Sequence, residues 1–277
     1  MVEWLIEPLS YGFVGRGLLA ALLASISCAF LSAFIVWRGM AFIGDAIAHS
    51  ILPGVVIAFA IGASLFIGAL VAALITAAGI GILTRRKTLR EDTAIGVIFT
   101  GLFALGIILL SKIASYQDLT HILFGNILGV GRGDLIAMLA ITIIVVSAVL
   151  LFYKELLASS FDPAHAVGIG LSPDMVRYGL LILIAVTVVA GVQSVGVVLV
   201  LALFVTPAAA ASLLVKRLGA IIAVSEAFAL ASSIIGFYAS YYFDLAAGAS
   251  IVLTLTMFFA LSFLLNKTVL SRIKTLP

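Results

Sequence analysis

The chain has 277 residues, of which 64% are hydrophobic and 10% are charged, and its formal net charge is +3. An ordinary soluble domain carries about a quarter charged residues and could not bury this much apolar surface, so a water-soluble protein is excluded. The single cysteine, Cys28, excludes a disulfide framework and a metal centre built from several thiolates. Nothing in the composition indicates nucleic-acid binding. We therefore expect an all-α integral membrane protein, a polytopic helical bundle whose solvent is the lipid bilayer.

The apolar residues fall into stretches long enough to cross a membrane, which needs about 20 residues each. They predict one transmembrane domain covering residues 1–277, with about eight or nine spans. The stretch 178–215 is hard to divide and segment 4–15 could insert in part, so a count of ten also stays open. Residues 119–130 are too few to span, and we expect a re-entrant or interfacial element there. The nine predicted spans are 17–37, 43–62, 64–84, 93–111, 132–152, 178–194, 195–215, 219–242 and 246–266.

The basic residues predict the orientation of these spans. With the N-terminus outside, twelve Lys and Arg residues face the cytoplasm and three face outward, as the positive-inside rule requires. This distribution supports both the order of the spans and their orientation. The longest cytoplasmic connection is then 153–178, which by composition is either a helix on the membrane surface or a solvated loop. The twelve are Arg38, Arg85, Arg86, Lys87, Arg90, Lys154, Arg177, Lys216, Arg217, Lys267, Arg272 and Lys274.

Asp45 and His49 form the richest polar site, at the start of the second span. They are four residues apart, which places them on one face of a helix, within reach of a common ion. A carboxylate oxygen with an imidazole nitrogen suits Mn²⁺, Fe²⁺ or Zn²⁺. Two structural alternatives stay open: Asp45 could cap the helix, and the His49 imidazole could bond a nearby carbonyl. Pro53 and Gly54 follow and are expected to interrupt the helix.

Glu226 lies inside an otherwise apolar span. A carboxyl group at this depth must be protonated, paired or bound to a metal. It is a candidate third metal ligand, or a group that hydrogen-bonds a neighbouring helix. His121 and His165 are weaker ligand candidates because neither has an acidic neighbour at helical spacing, and Asp92 is expected to cap the fourth span.

Several enzyme motifs are missing from the sequence. There is no G-x-x-x-x-G-K-[ST] to cradle nucleotide phosphates, no H-E-x-x-H and no G-x-S-x-G. The chain is therefore expected to be a transport subunit rather than an enzyme, to hold no cofactor of its own, and to leave any use of ATP to another polypeptide.

The stretch FIVWRGMAFIGDAIAHSILPGVVIAFAIG resembles the signature of the metal-ion permeases of ABC importers, which take up manganese, zinc and iron. The resemblance covers roughly residues 15–266 and implies a multi-pass protein of the bacterial plasma (inner) membrane. Its other matching stretches, in the same order, are HILFGNILGV, SFDPAHAVGIGL and SVGVVLVLALFVTPAAAA.

This resemblance implies partners that composition and spacing do not. It implies a second copy of the permease, two cytoplasmic ATPase subunits that bind ATP, and an extracytoplasmic metal-binding protein. It also implies that the segment at about 157–170 is a coupling helix docking on the ATPase, and that Asp45 and His49 belong to the metal pathway.

The predicted function is thus import of a divalent transition metal ion by alternating access, driven by ATP. Two other hypotheses remain to be separated from it. The first is a secondary, ion-coupled carrier, in which Asp45, His49 and Glu226 form an ion relay without any ATPase. The second is a membrane enzyme that uses the same side chains around a bound metal.

Overall fold

The computed structural model describes residues 7–85, 89–112 and 127–274. Two short 3₁₀ turns, Pro8–Ser10 and Ile127–Gly129, accompany the helices of this part of the chain. The α-helices are α1 (Gly12–Trp37), α2 (Ile43–Ser50), α3 (Leu52–Ala60), α4 (Leu65–Thr84), α5 (Glu91–Leu110), α6 (Arg132–Leu151), α7 (Tyr153–Phe161), α8 (Pro163–Gly168), α9 (Pro173–Val195), α10 (Val197–Leu214), α11 (Leu218–Phe243) and α12 (Ala247–Lys274).

The helices long and apolar enough to cross a membrane number nine within the described ranges, with α2 and α3 together making one of them. Each coincides with a predicted span to within about two residues, except that α1 begins at Gly12 rather than at 17 and α9 begins at Pro173 rather than at 178. The extra turn brings the basic residue Arg177 inside the helix, where the hydropathy pattern alone does not place it. The predicted all-α polytopic bundle is therefore confirmed.

The first helix, α1, is the centre of the bundle and packs against α6, α9, α10 and α11. Its small side chains, among them the fully buried Ala20 and Ala24, let the neighbouring helices approach closely. Hydroxyls bridge some of these contacts: Ser25 Oγ lies 2.5 Å from Ser233 Oγ, and Ser27 Oγ lies 2.7 Å from Thr142 Oγ1. By contrast, much of α5 is exposed at the edge of the bundle, where lipid would cover it.

The second span is broken, but earlier than expected. Helix α2 ends at Ser50 and α3 begins at Leu52, so Pro53 lies in the first turn of a new helix. Proline is well tolerated there because the first amide groups of a helix have no intrahelical acceptor. Gly54 has a packing role: a Cβ there would clash with the backbone carbonyl of Gly68 on α4.

The stretch 178–215, which is difficult to divide by hydropathy, is cut at Gly196. This residue has φ +92°, a conformation that side-chain-bearing residues rarely adopt, and it separates α9 from α10. Further along α10, Pro207 lies inside the helix. The amide of the next residue, Ala208, donates to Ser32 Oγ on α1 at 3.3 Å, so the irregular backbone is satisfied by a neighbouring helix.

The segment at about 157–170, predicted to be cytoplasmic, is helical and not an open loop. It comprises the end of α7 and the whole of the short helix α8. Asp162 caps α8, since its side chain accepts a hydrogen bond from the amide of His165 at 2.9 Å. The predicted element at 119–130 falls mostly outside the described residues, of which it contains only 127–130.

Candidate functional site

Asp45 and His49 lie on the same face of α2, as their spacing predicts. Asp45 is in the first turn and His49 in the last, and His49 Nε2 is 3.2 Å from Asp45 Oδ1. The two side chains are about one-third exposed, 32% for His49 and 37% for Asp45. A carboxylate and an imidazole are therefore held side by side and remain accessible.

The structure argues against the two structural alternatives for this pair, a helix cap for Asp45 and a carbonyl hydrogen bond for His49. The residue at the N-cap of α2 is Phe42, and within the described chain no side chain bonds that end of the helix, so Asp45 is not a cap. The second nitrogen of His49, Nδ1, is buried and has no hydrogen-bond partner among the described residues, so His49 is not anchored to a carbonyl. Among the described residues, the imidazole makes its polar contact with Asp45.

Two phenylalanines of α5 lie against the imidazole of His49. The ring centroids of Phe99 and Phe103 are 5.9 Å and 5.5 Å from that of His49, and they are 5.8 Å from each other. The hydropathy pattern missed both because a phenylalanine in an apolar span is indistinguishable from a lipid-facing one. A signal for them would have required knowing that α5 packs against α2.

Within the described residues of one copy of the chain, the pair does not complete a metal site. No group of three or more His, Cys, Asp or Glu side chains in the described residues is placed to hold a metal ion. Zinc in proteins is held by about four ligands, and Mg²⁺ and Ca²⁺ by about six or more. Two protein ligands leave the coordination shell open to water or to groups from another molecule.

Glu226 does not join Asp45 and His49 in such a group. It lies on α11, which packs against α1, α10 and α12. Both of its carboxylate oxygens are buried, with no hydrogen-bond partner in the part of the chain that the structure describes. The alternative that Glu226 bonds a neighbouring helix is thus not what this conformation shows, and its predicted role as a ligand at the same site stays a prediction.

Arg177 connects the end of α4 to the start of α9. Its guanidinium donates to the carbonyls of Thr84 (3.1 Å) and Gly81 (2.9 Å), and it lies 3.3 Å from Asp174. The last carbonyls of a helix have no partner within it, and a cation there also interacts favourably with the negative end of the helix dipole. Arg177 is therefore a structural C-terminal cap of α4.

Arg38 connects the end of α1 to α7. It donates from Nη2 to Ser159 Oγ at 2.9 Å and from Nε to Ser160 Oγ at 3.2 Å. The ring of Trp37 lies against that of Phe161, with their centroids 4.1 Å apart. Two consecutive residues thus hold the helix that leads into α8.

Arg38 and Arg177 line one cavity of about 380 Å³ together with Glu91. Burial lowers the pKa of the Arg38 guanidinium, the Glu91 carboxylate opposes that shift, and Arg177 adds to it. Glu91 is therefore a counter-charge for Arg38. Arg85 and Arg90 line the same cavity, so four of the twelve basic residues predicted to face the cytoplasm lie close together.

Residues 10–266 match the ABC 3 transport family. The chain belongs to this family. The match covers all nine candidate spans, the Asp45–His49 pair and both helices of the segment at about 157–170. It therefore identifies a multi-pass membrane protein of an ABC transport family, as the motif on α2 predicts.

Curated relatives of this ABC 3 family chain are transport-system membrane proteins of similar length. The manganese transport system membrane protein MntC of Halalkalibacterium halodurans is 46% identical over 258 residues, which cover 93% of this chain and 88% of that protein. The "Probable iron transport system membrane protein" of Haemophilus influenzae is 42% identical over 267 residues, covering 96% of this chain and 98% of that one. Among solved structures, PsaBC from Streptococcus pneumoniae in complex with Fab matches with a TM-score of 0.81 at 37% identity, covering 95% of both chains.

The other polar candidate residues that the structure describes, His165, Asp92 and Asp244, do not form part of this site. His165 is exposed on α8, and its amide takes part in the cap of that helix. Asp92 is in the first turn of α5, whose N-cap is Arg90, so the expectation that Asp92 is the cap is wrong. Asp244 is an exposed residue just after α11, and His121 lies outside the described residues.

Proposed function

We propose that the chain is the membrane-spanning permease of an ATP-driven importer that moves a divalent transition metal ion, Mn²⁺, Fe²⁺ or Zn²⁺, into the cell by alternating access. The observation that carries this proposal is the Asp45–His49 pair, accessible and 3.2 Å apart at the start of a membrane span. The names of the manganese and iron transport relatives support the same substrate class. Ionisable side chains inside a membrane are energetically costly, and where they occur they commonly mark an ion pathway.

The chemistry of the pair favours passage over storage. One carboxylate and one imidazole bind borderline-hard divalent ions, but two ligands cannot complete their coordination. A transport site must bind well enough for the ion to enter and weakly enough for it to leave. A second copy of the chain would bring an equivalent pair, so we infer that the ion is shared between two copies at their interface.

Glu226 is kept in the proposal as a separate contact for the ion. Its buried carboxylate oxygens lack a hydrogen-bond partner among the described residues, which leaves them free to bind a cation. Because it does not join the Asp45–His49 pair in one described group, it would act at another point of the pathway.

The energy source is assigned to other polypeptides. The sequence lacks a phosphate-cradling loop, so two cytoplasmic ATPase subunits would bind and hydrolyse ATP, and this chain would form and break no covalent bond. The exposed helix α8, held through α7 by Arg38, is the proposed docking element for the ATPase. An extracytoplasmic binding protein would deliver the metal to the outer mouth.

Reconstitution tests this proposal against the secondary carrier. The permease is placed in liposomes with and without its ATPase and binding protein, and entry of ⁵⁴Mn²⁺ is followed after ATP is trapped on the ATPase side. We expect uptake only when all components and hydrolysable ATP are present. Uptake by the permease alone, driven by an ion gradient, would establish the carrier instead.

A further inference from the structure

The pair Phe99 and Phe103 on α5 is the part of the metal site that neither the sequence motif nor the carboxylate–imidazole chemistry explains. Both rings lie within 6 Å of the imidazole centroid, and Phe99 stacks on Phe103 at an interplanar angle of 25°. We propose that Phe99 and Phe103 are positioning residues that hold the His49 ring while denying it a hydrogen-bond acceptor, which makes His49 a weak, quickly releasing metal ligand. This inference rests on the proposed transport function and deepens it.

The two nitrogens of His49 have different surroundings. Nε2 faces Asp45 Oδ1 at 3.2 Å, so a cation held between the two side chains would take its nitrogen ligand from Nε2. A neutral imidazole that gives the lone pair of one nitrogen to a metal carries its proton on the other. In this site the proton would be on Nδ1, which is buried and has no acceptor among the described residues.

This arrangement departs from the usual surroundings of a histidine ligand. Metal-bound histidines almost always donate the second N–H to a carboxylate, a carbonyl or water, which fixes the ring and strengthens the ligand. Removing such a partner typically lowers metal affinity by about 10- to 100-fold. Here two apolar rings perform the fixing, because one meets the imidazole edge-on at 64° and the other lies at 44° to it. The acceptor that would strengthen His49 as a metal ligand is missing among the described residues.

The weakness suits a transport site. A structural metal centre gains from tight ligands, whereas a permease must release the ion in every cycle. Aromatic rings are suited to the positioning task because they pack specifically and carry no polar group that could bind the ion itself. We therefore expect that an acceptor placed beside Nδ1 would tighten binding and slow transport.

The test compares variants of Phe103 in the complete reconstituted importer. Phe103→Gln places an amide oxygen near the imidazole, and Phe103→Leu removes the ring without adding an acceptor. Phe258→Gln and Phe258→Leu are the matched controls, because Phe258 stacks on Phe228 at 5.4 Å in another part of the bundle. ⁵⁴Mn²⁺ uptake gives the apparent KM and the maximal rate, and equilibrium dialysis of the purified complex gives the fraction of metal retained.

We expect Phe103→Gln to lower the apparent KM and raise metal retention by up to about tenfold while reducing the maximal rate, since it restores the missing partner. Phe103→Leu should raise the KM, because the imidazole ring of His49 is then no longer held in its orientation. The two Phe258 variants should leave the KM unchanged. Equal effects of Gln at positions 103 and 258, or indistinguishable effects of Gln and Leu at 103, would overturn the inference.

The outcome also separates this inference from the proposed function. Asp45→Asn is measured in the same preparation. If that variant loses uptake while Phe103→Gln behaves as wild type, the aromatic role is refuted and the transport site stands. If Asp45→Asn transports normally, the transport site itself is refuted and the role of the two rings with it.

Discussion

Arg38 donates a hydrogen bond of 2.9 Å from Nη2 to the hydroxyl of Ser159, joining the end of α1 to the cytoplasmic helix α7. Only six residues separate Arg38 from Asp45 along the chain. The short connection that leads into α2, the helix of Asp45 and His49, is therefore attached directly to the segment proposed to receive the ATPase. This contact gives a physical route by which movement at α7 and α8 can reach the start of α2.

The first prediction concerns this contact. Arg38→Lys keeps the charge but replaces the planar fork with a single ammonium, which cannot reproduce both serine contacts. We expect ATP hydrolysis by the assembled complex to continue while the number of Mn²⁺ ions imported per ATP falls. Arg217→Lys is the control, since Arg217 is exposed at the start of α11. Equal ratios in the two variants would show that Arg38 does not couple the two events.

The second prediction concerns stability. Arg177→Met removes the donors to Thr84 and Gly81, leaving buried carbonyls unsatisfied at a cost of about 1–3 kcal/mol. We expect a clear drop in the midpoint of thermal aggregation of the detergent-purified protein. Arg85→Met serves for comparison because its side chain is 68% exposed and its contact with Asp174 is long, at 3.7 Å. A midpoint that falls as much for Arg85→Met as for Arg177→Met would contradict the assignment of Arg177 as a cap.

The third prediction tests the contact between α3 and α4. A methyl group at Gly54 would meet the backbone of Gly68, and backbone cannot move aside as a flexible side chain can. Gly54→Ala should therefore lower folded yield and thermal stability, although alanine is the better helix former by about 1 kcal/mol. Gly101→Ala, where no described atom lies within 4 Å of the added carbon, should be neutral or stabilising. If Gly101→Ala lowered the thermal stability more than Gly54→Ala, the close contact between α3 and α4 at Gly54 would be contradicted.

The fourth prediction addresses Glu226. Glutamine has nearly the same shape as glutamate but lacks the charge that binds a cation. If Glu226 contacts the ion, as proposed, Glu226→Gln lowers ⁵⁴Mn²⁺ uptake severalfold at unchanged membrane level and thermal stability. Wild-type uptake by this variant would remove Glu226 from the pathway and leave it a packing group.

Much of this architecture could be predicted from the sequence, for identifiable reasons. Each span needs about 20 apolar residues, and the basic residues in the loops set the orientation of the spans. Hydropathy therefore locates the nine helices that the described residues contain. The Asp45–His49 contact follows from helical spacing alone. These properties are local in the sequence.

The features that could not be predicted depend on which helices touch. Phe99 lies 50 residues after His49, and nothing in an apolar span indicates which of its faces meets α2. The partners of Arg38 lie more than 120 residues away, on α7. The break at Ile51 rather than at Pro53 also eludes pattern reading, because proline is compatible with the first turn of a helix.

The most direct test of the central claim is uptake of ⁵⁴Mn²⁺ by cells carrying the complete importer with Asp45→Asn or His49→Gln, at matched membrane levels. Asp244→Asn is the control, since Asp244 is an exposed carboxylate beyond the end of α11. The account predicts that both site variants lose uptake while the complex still assembles, and that Asp244→Asn transports normally. Normal uptake by both Asp45→Asn and His49→Gln would contradict it, because the metal would then cross the membrane without the pair.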